Sequence, residues 1–163
     1  MSSIGASNKY DIERFFNDLE TVLKSNINTK ITEINNEKND DIFMKPVEDD
    51  AYIKHSLNQE VVNYDPYIFM YIDNIESSGI GPRVSKVVSV DIAMVIKDPL
   101  TETMSSLVLR YLRSLEEVLT EKFNTVNKTR KIEVKSLAPF PFQSLDSSHF
   151  YYAIGVRAET TIA

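Results

Sequence analysis

Between Pro66 and Asp98 apolar residues recur so densely at every second position that this stretch has to be sheet, and the rest of the chain must be arranged around it. Tyr67-Ile68-Phe69-Met70-Tyr71-Ile72 is apolar on both alternating faces. Glu76-Ser77-Ser78-Gly79-Ile80-Gly81-Pro82 interrupts it, and Val84, Val88, Val90, Ile92, Met94 and Ile96 line one face of a second, longer run. The pattern predicts a β-hairpin with a several-residue loop. The other face of the second run carries Ser85, Val87, Ser89, Asp91, Ala93, Val95 and Lys97, half apolar where a solvated face would be consistently polar. Helices of the same chain are expected to cover one side of this sheet, and a second copy of the protein part of the other.

The flanking segments supply the helices. Asn8 or Asp11 is placed to cap a helix bearing Ile12, Phe15, Phe16, Leu19, Val22 and Leu23 at three- and four-residue spacing. Ile27, Ile31 and Ile34 carry the stripe toward Asn36, although Asn26, Asn28, Thr29 and Thr32 are weak helix formers; a helix fraying after Lys24 is the alternative. Past Asp98-Pro99, Thr101 or Thr103 is a candidate cap for a second helix. Its stripe is Met104, Leu107, Val108, Tyr111, Leu112, Leu115, Val118, Leu119 and Phe123, with Arg110, Arg113, Glu117 and Glu121 expected to face water. Lys131 to Lys135 alternates as an edge strand, Ala138-Pro139-Phe140-Pro141-Phe142 interrupts it, and Asp146 to Ser148 turns. Phe150, Tyr152, Ile154, Val156 and Ala158 mark a last strand or arm running toward Ala163. The order predicts one α+β domain over residues 1–163: an antiparallel sheet of about four strands with two main helices packed on one face.

Residues 39–65 break every period. Acids, Pro46 and scattered aromatics alternate with Ile42, Phe43, Met44, Val47, Ile53, Leu57, Val61 and Val62, and a loop of this length is longer than a plain connector needs. The segment is a candidate for contact with a neighbour.

Catalytic chemistry finds little support. With no cysteine in 163 residues, disulfides, thiol catalysis and cysteine-ligated metals are excluded. A chain this long buries about 68 to 70% of its unfolded surface without such staples. A net charge of −6 with a pI near 5.0 opposes the phosphate neutralisation on which nucleic-acid binding rests. No apolar run approaches the roughly 20 residues of a membrane helix. The start, Met1 to Tyr10, has neither the basic end nor the apolar centre of a signal peptide, so a cytoplasmic product is expected. His55 and His149 lack ligands at metal spacing or a nucleophile in a known motif, and Gly79-Ile80-Gly81 lies between strands rather than ahead of a helix that could bind a phosphate. Asp40-Asp41, Asp49-Asp50 and Glu116-Glu117 read as solvated acids, and the eight tyrosines, without interleaved Lys and Arg, as core and interface aromatics. Asp91, mid-strand on the half-apolar face, is either hydrogen-bonded across a strand or subunit boundary or an acid of raised pKa in a cleft. No catalytic residue, cofactor or metal site is expected.

Within this order, Leu23 to Ile31 of the first helix, Val61-Val62-Asn63-Tyr64-Asp65-Pro66-Tyr67-Ile68-Phe69, Tyr111 to Glu117 of the second helix, Tyr152-Ala153-Ile154-Gly155-Val156 and Glu159 to Ala163 make the chain resemble the tail terminator and tail-completion proteins of long-tailed bacteriophages and prophages. The resemblance implies a non-enzymatic virion protein, assembled in the host cytoplasm. It would form a ring, commonly a hexamer, that caps the head-proximal end of the tail tube and ends its polymerisation. Its partners would be further copies of itself, the tail tube protein, the head connector and in some tails the sheath protein, with DNA passing through the lumen without specific binding and no membrane involved. Phe43, Met44, Tyr52, Tyr64, Gly79, Ile80, Val87, Val95 and Tyr151 are the candidate contact residues. The alternatives are another head-tail connector or a tube-like subunit, or, in a different class, a small ligand-binding or hydrolytic domain using Asp91 or the acids near Asp49.

Overall fold

In the computed structural model, which describes residues 11–54, 64–79, 84–97, 101–123, 132–143 and 150–162, the chain opens with helix α1 (Ile12–Lys38) and a short strand β1 (Tyr52–Lys54). Strands β2 (Tyr67–Ser78) and β3 (Ser85–Lys97) follow, then helix α2 (Thr101–Glu117), which continues as a π-helical segment over Val118–Phe123, and strands β4 (Glu133–Gln143) and β5 (Phe150–Ile162). The sheet order is β1-β2-β3-β5-β4, with β1 parallel to β2 and every other pair antiparallel. The fold is α+β, two helices packed against a five-stranded, mostly antiparallel sheet. The strand beyond the expected four is β1, formed inside the aperiodic segment 39–65.

Helix α1 takes the longer of its two expected courses. Asp11 caps it, its carboxylate accepting a hydrogen bond from the Arg14 N–H at 2.8 Å, and the left-handed Asn39 (φ 46°) closes it by donating to the Asn35 carbonyl at 3.0 Å. The whole stripe from Phe15 to Ile34 is buried, so apolar burial offsets the poor propensity of the asparagines and threonines. Phe15 meets Phe123 edge to face with ring centroids 5.9 Å apart, joining the start of α1 to the π-helical end of α2. Beneath the helices lies the face of β3 carrying Val88, Val90, Ile92 and Met94, all fully buried, flanked by Ile68 and Met70 of β2 and Ile154 and Val156 of β5.

Part of the supposed loop is a strap laid back along α1. Asn35 accepts from the Met44 N–H (2.9 Å) and donates to the Met44 carbonyl (3.0 Å); Asn28 does the same for Val47, at 2.8 Å in both directions. Seven residues of helix rise about 10.5 Å and three extended residues span about 10 Å, so the two amides match the strap's own repeat. From α2, the Tyr111 hydroxyl donates to the Lys45 carbonyl at 2.9 Å, and Arg110 grips both Asp40 and the Ile42 carbonyl. Arg110, expected in water, is therefore only 8% exposed. Its guanidinium satisfies the turn that reverses the chain.

Three other expectations are corrected. β2 does not stop at Ile72 but continues to Ser78 through a bulge at Asp73, and β4 runs straight through Pro139 and Pro141, absorbing them with an irregularity between Leu137 and Phe140. Proline is tolerated there because β4 is the last strand of the sheet and the ladder is already broken at the bulge. Thr101 and Thr103 lie within α2 rather than ahead of it. The suggested cap at Asn8 and turn at Asp146 to Ser148 lie outside the described residues, as do His55, Leu57, Val61, Val62, Asp98-Pro99, Lys131 and His149.

Candidate functional site

The surface to examine is the sheet face turned away from Val88, Val90, Ile92 and Met94. Cross-strand partners share a face, so the register places Tyr67, Phe69 and Tyr71 of β2 beside Val95, Ala93 and Asp91 of β3, and these beside Ala153, Gly155 and Arg157 of β5. The face divides in two. Tyr67, Val95 and Ala153 are buried within a single copy, while Phe69, Tyr71 and Ala93 are half-buried. Beyond them the face is polar and ion-paired.

Asp91, 4% exposed, is the centre of that polar half. Arg157, its direct partner on β5, forks onto both carboxylate oxygens (Nε to Oδ1 2.8 Å, the terminal nitrogen to Oδ2 3.1 Å) and also reaches Asp73 at 2.9 Å. Alternation from Tyr71 puts Asp73 on the face of Asp91 and Arg157, and the bulge brings the next residue, Asn74, opposite Ser89 on that face as well. The hydrogen bond to Asp91 is the main reason the Arg157 guanidinium holds its proton more tightly than usual. Burial, and then the charge of Asp91, push the Tyr71 hydroxyl up as well. One row further on, Glu159 accepts from Ser89 (3.2 Å) and Lys135 (2.8 Å), and Lys135, its main partner, holds its carboxyl below the ordinary range. Of the two readings of Asp91, the cross-strand hydrogen bond is the one realised, and its partner belongs to the same chain.

The predicted contact residues scatter. Phe43 is 68% exposed on the strap, and Val87 is half-buried near the far end of the hairpin. Gly79 is exposed at the end of β2, and its φ of 99° is one that a residue without a Cβ adopts freely. Tyr52 and Tyr64 are half-buried, Tyr52 with its ring under the Lys24 ammonium at 5.1 Å and its hydroxyl buried without a partner among the described residues. Met44 and Val95 are corrected: both are interior, Met44 because the Asn35 clamp turns it into the core beneath the strap. The backbone of Tyr151 pairs with Lys97 and Phe142 in β5, and Ile80 lies outside the described residues.

Sequence reasoning missed the exposed reach of the hairpin. Asp73 to Ser78 are all exposed, Ile75 among them at 44%, and Val84 and Leu109 are further large apolar side chains in water. Beside this end of the sheet an open cleft of about 280 Å³ is lined by Val87, Ile132, Glu133, Glu159, Thr160 and Thr161. Among the described residues no three His, Cys, Asp or Glu side chains gather as a metal ion would need, and no helix is long and apolar enough to cross a membrane. Compared with models of known protein families and with curated protein sequences, the chain matches none.

Proposed function

We propose that the protein is a structural, non-enzymatic subunit that assembles with copies of itself into a ring, as the tail terminators it resembles do, ending tube growth at the head-proximal end of a phage tail and joining tail to head. The observation that carries this reading is the exposed arm of β2: Asp73 to Ser78 lie in solvent, with Ile75 and also Val84 in water, although the β3 arm beside them is buried from Val88 inward. Ordered sheet of this length standing in solvent is a surface for a neighbour rather than a container for a substrate. The hydrolytic alternative loses its principal residue, because Arg157 occupies both oxygens of Asp91. The partners would be the tube protein at one rim and the connector at the other.

Native mass measurement of the purified protein, alone and mixed with its tail tube protein, tests the reading. An annular oligomer that associates with tube ends is the expected result; a monomer that never binds tube ends refutes it. Deleting the gene separates the connector alternatives. Loss of a terminator yields overlong or unattached tails, and loss of a tube subunit yields no tube.

A further inference from the structure

The two strands of the β2–β3 hairpin are held unequally. β1 pairs with β2 only at Ile68, Phe69 and Met70, and every residue of β2 from Asp73 to Ser78 is exposed. Among the described residues, that outer stretch has a ladder on one side alone, to β3. Its partner is better secured. β3 pairs with β5 on its other side from Lys86 inward, and Val88 and Val90 are fully buried.

Little fastens the outer stretch beyond its own ladder. Ile75 stands opposite Val88 yet stays 44% exposed, and the hydroxyls of Ser78 and Ser85 meet at 3.1 Å near the far end. The Asn74 amide donates to Glu76 at 3.0 Å, a contact inside β2 that adds no hold on β3. At the root the bonding changes. Asp73, for which the register leaves no partner in β3, reaches Arg157 of β5 at 2.9 Å, and Arg157 is itself forked onto Asp91. The extra residue interrupts the ladder there, so pairing beyond it is separated from the regular pairing of Tyr67 to Ile72. A segment with few buried apolar contacts and solvent-exposed backbone bonds opens at a smaller free energy than the fold as a whole.

We infer that Asp73–Ser78 is a flap, hinged at the bulge, that peels from β3 as a unit while the rest of the sheet stays folded. Arg157 anchors the hinge end through Asp73, and the Ser78–Ser85 contact is the latch at the other. Opening frees one edge of β3 between Lys86 and Ser89 while β5 still holds the opposite edge, so the open form offers a supported strand with a vacant ladder. This property belongs to a single copy and does not depend on the ring reading.

Native-state hydrogen exchange on the intact protein at low denaturant tests the flap. The Asn74–Ser78 amides bonded to β3 should exchange at least about 100-fold faster than those joining β3 to β5, with little dependence on denaturant and a step at Asp73. The chain has no cysteine, so a Ser78→Cys, Ser85→Cys double variant can close the latch covalently. Oxidation should slow the flap amides at least about tenfold more than the β3–β5 amides, and reduction should restore them. Flap amides that exchange together with the β3–β5 amides, at the same denaturant dependence, would overturn the inference, as would a closed latch that leaves flap exchange unchanged. Should circular dichroism show that the double variant does not fold, deletion of Asp73 gives the second reading. It sets Asn74 opposite Ser89 directly after Ile72 opposite Val90. Flap protection should then rise toward that of Tyr67 to Ile72, and unchanged protection would refute the hinge.

Discussion

Asn28 and Asn35 do more for this fold than their helix propensities suggest. Each amide makes two hydrogen bonds to the strap backbone, and removing it leaves an N–H and a carbonyl of the strap without partners in a part-buried setting. Replacing either with alanine should cost about 1 to 3 kcal/mol, read from denaturant midpoints, in spite of alanine's better helix propensity. Asp40 acts at the same joint. The Arg110 guanidinium holds its carboxyl at about 2, below the ordinary 3.8. A depressed folded value means that the stabilisation is present above the unfolded pKa and disappears as pH falls through the folded one. Unfolding midpoints of Asp40→Asn should therefore lie below those of the parent at neutral pH and converge on them between about pH 4 and about pH 2.

At the scale of elements, much of the fold was legible because burial follows period. The α1 stripe, the α2 stripe continuing through Phe123, and the β3 face from Val88 to Ile96 are all where the spacing puts them. What the spacing could not carry was a change of phase. Ile68, Met70 and Ile72 alternate, then the extra residue Asp73 shifts the count so that Ile75 pairs with Val88; read with one fixed period, the strand looks finished. The prolines of β4 hid its second half: the alternation of Lys131 to Lys135 marks an edge strand, as β4 is, but Pro139 and Pro141 look like its end unless the ladder irregularity that accommodates them is seen. The strap escaped notice because its order comes from the side chains of α1 and α2, not from a pattern of its own. Of the candidate site, Asp91 and the half-apolar face were visible beforehand, but the partner Arg157 was not, being far away in sequence and on the matching row only once β5 is registered. β3, paired along both sides, is where the sheet is least forgiving. Ile92→Ala, fully buried, should cost about 2 to 5 kcal/mol, and Ile75→Ala on the exposed hairpin less than about 1, as measured by chemical denaturation.

For the molecule as a whole, the bulges govern more than local pairing. One sits in β2 at Asp73, where the strand passes into solvent, and the other in β4 between Leu137 and Phe140, where the prolines enter the strand. An extra residue bends its strand and tightens the local twist. If copies assemble into the proposed ring, the bend at Asp73 becomes part of the wedge that each copy presents, and the wedge angle sets how many copies complete a circle. Deleting Asp73 should then leave a folded protein, judged by circular dichroism, whose particles differ in diameter and subunit number under electron microscopy. In such a ring the caliber of the opening would depend on one inserted residue per copy.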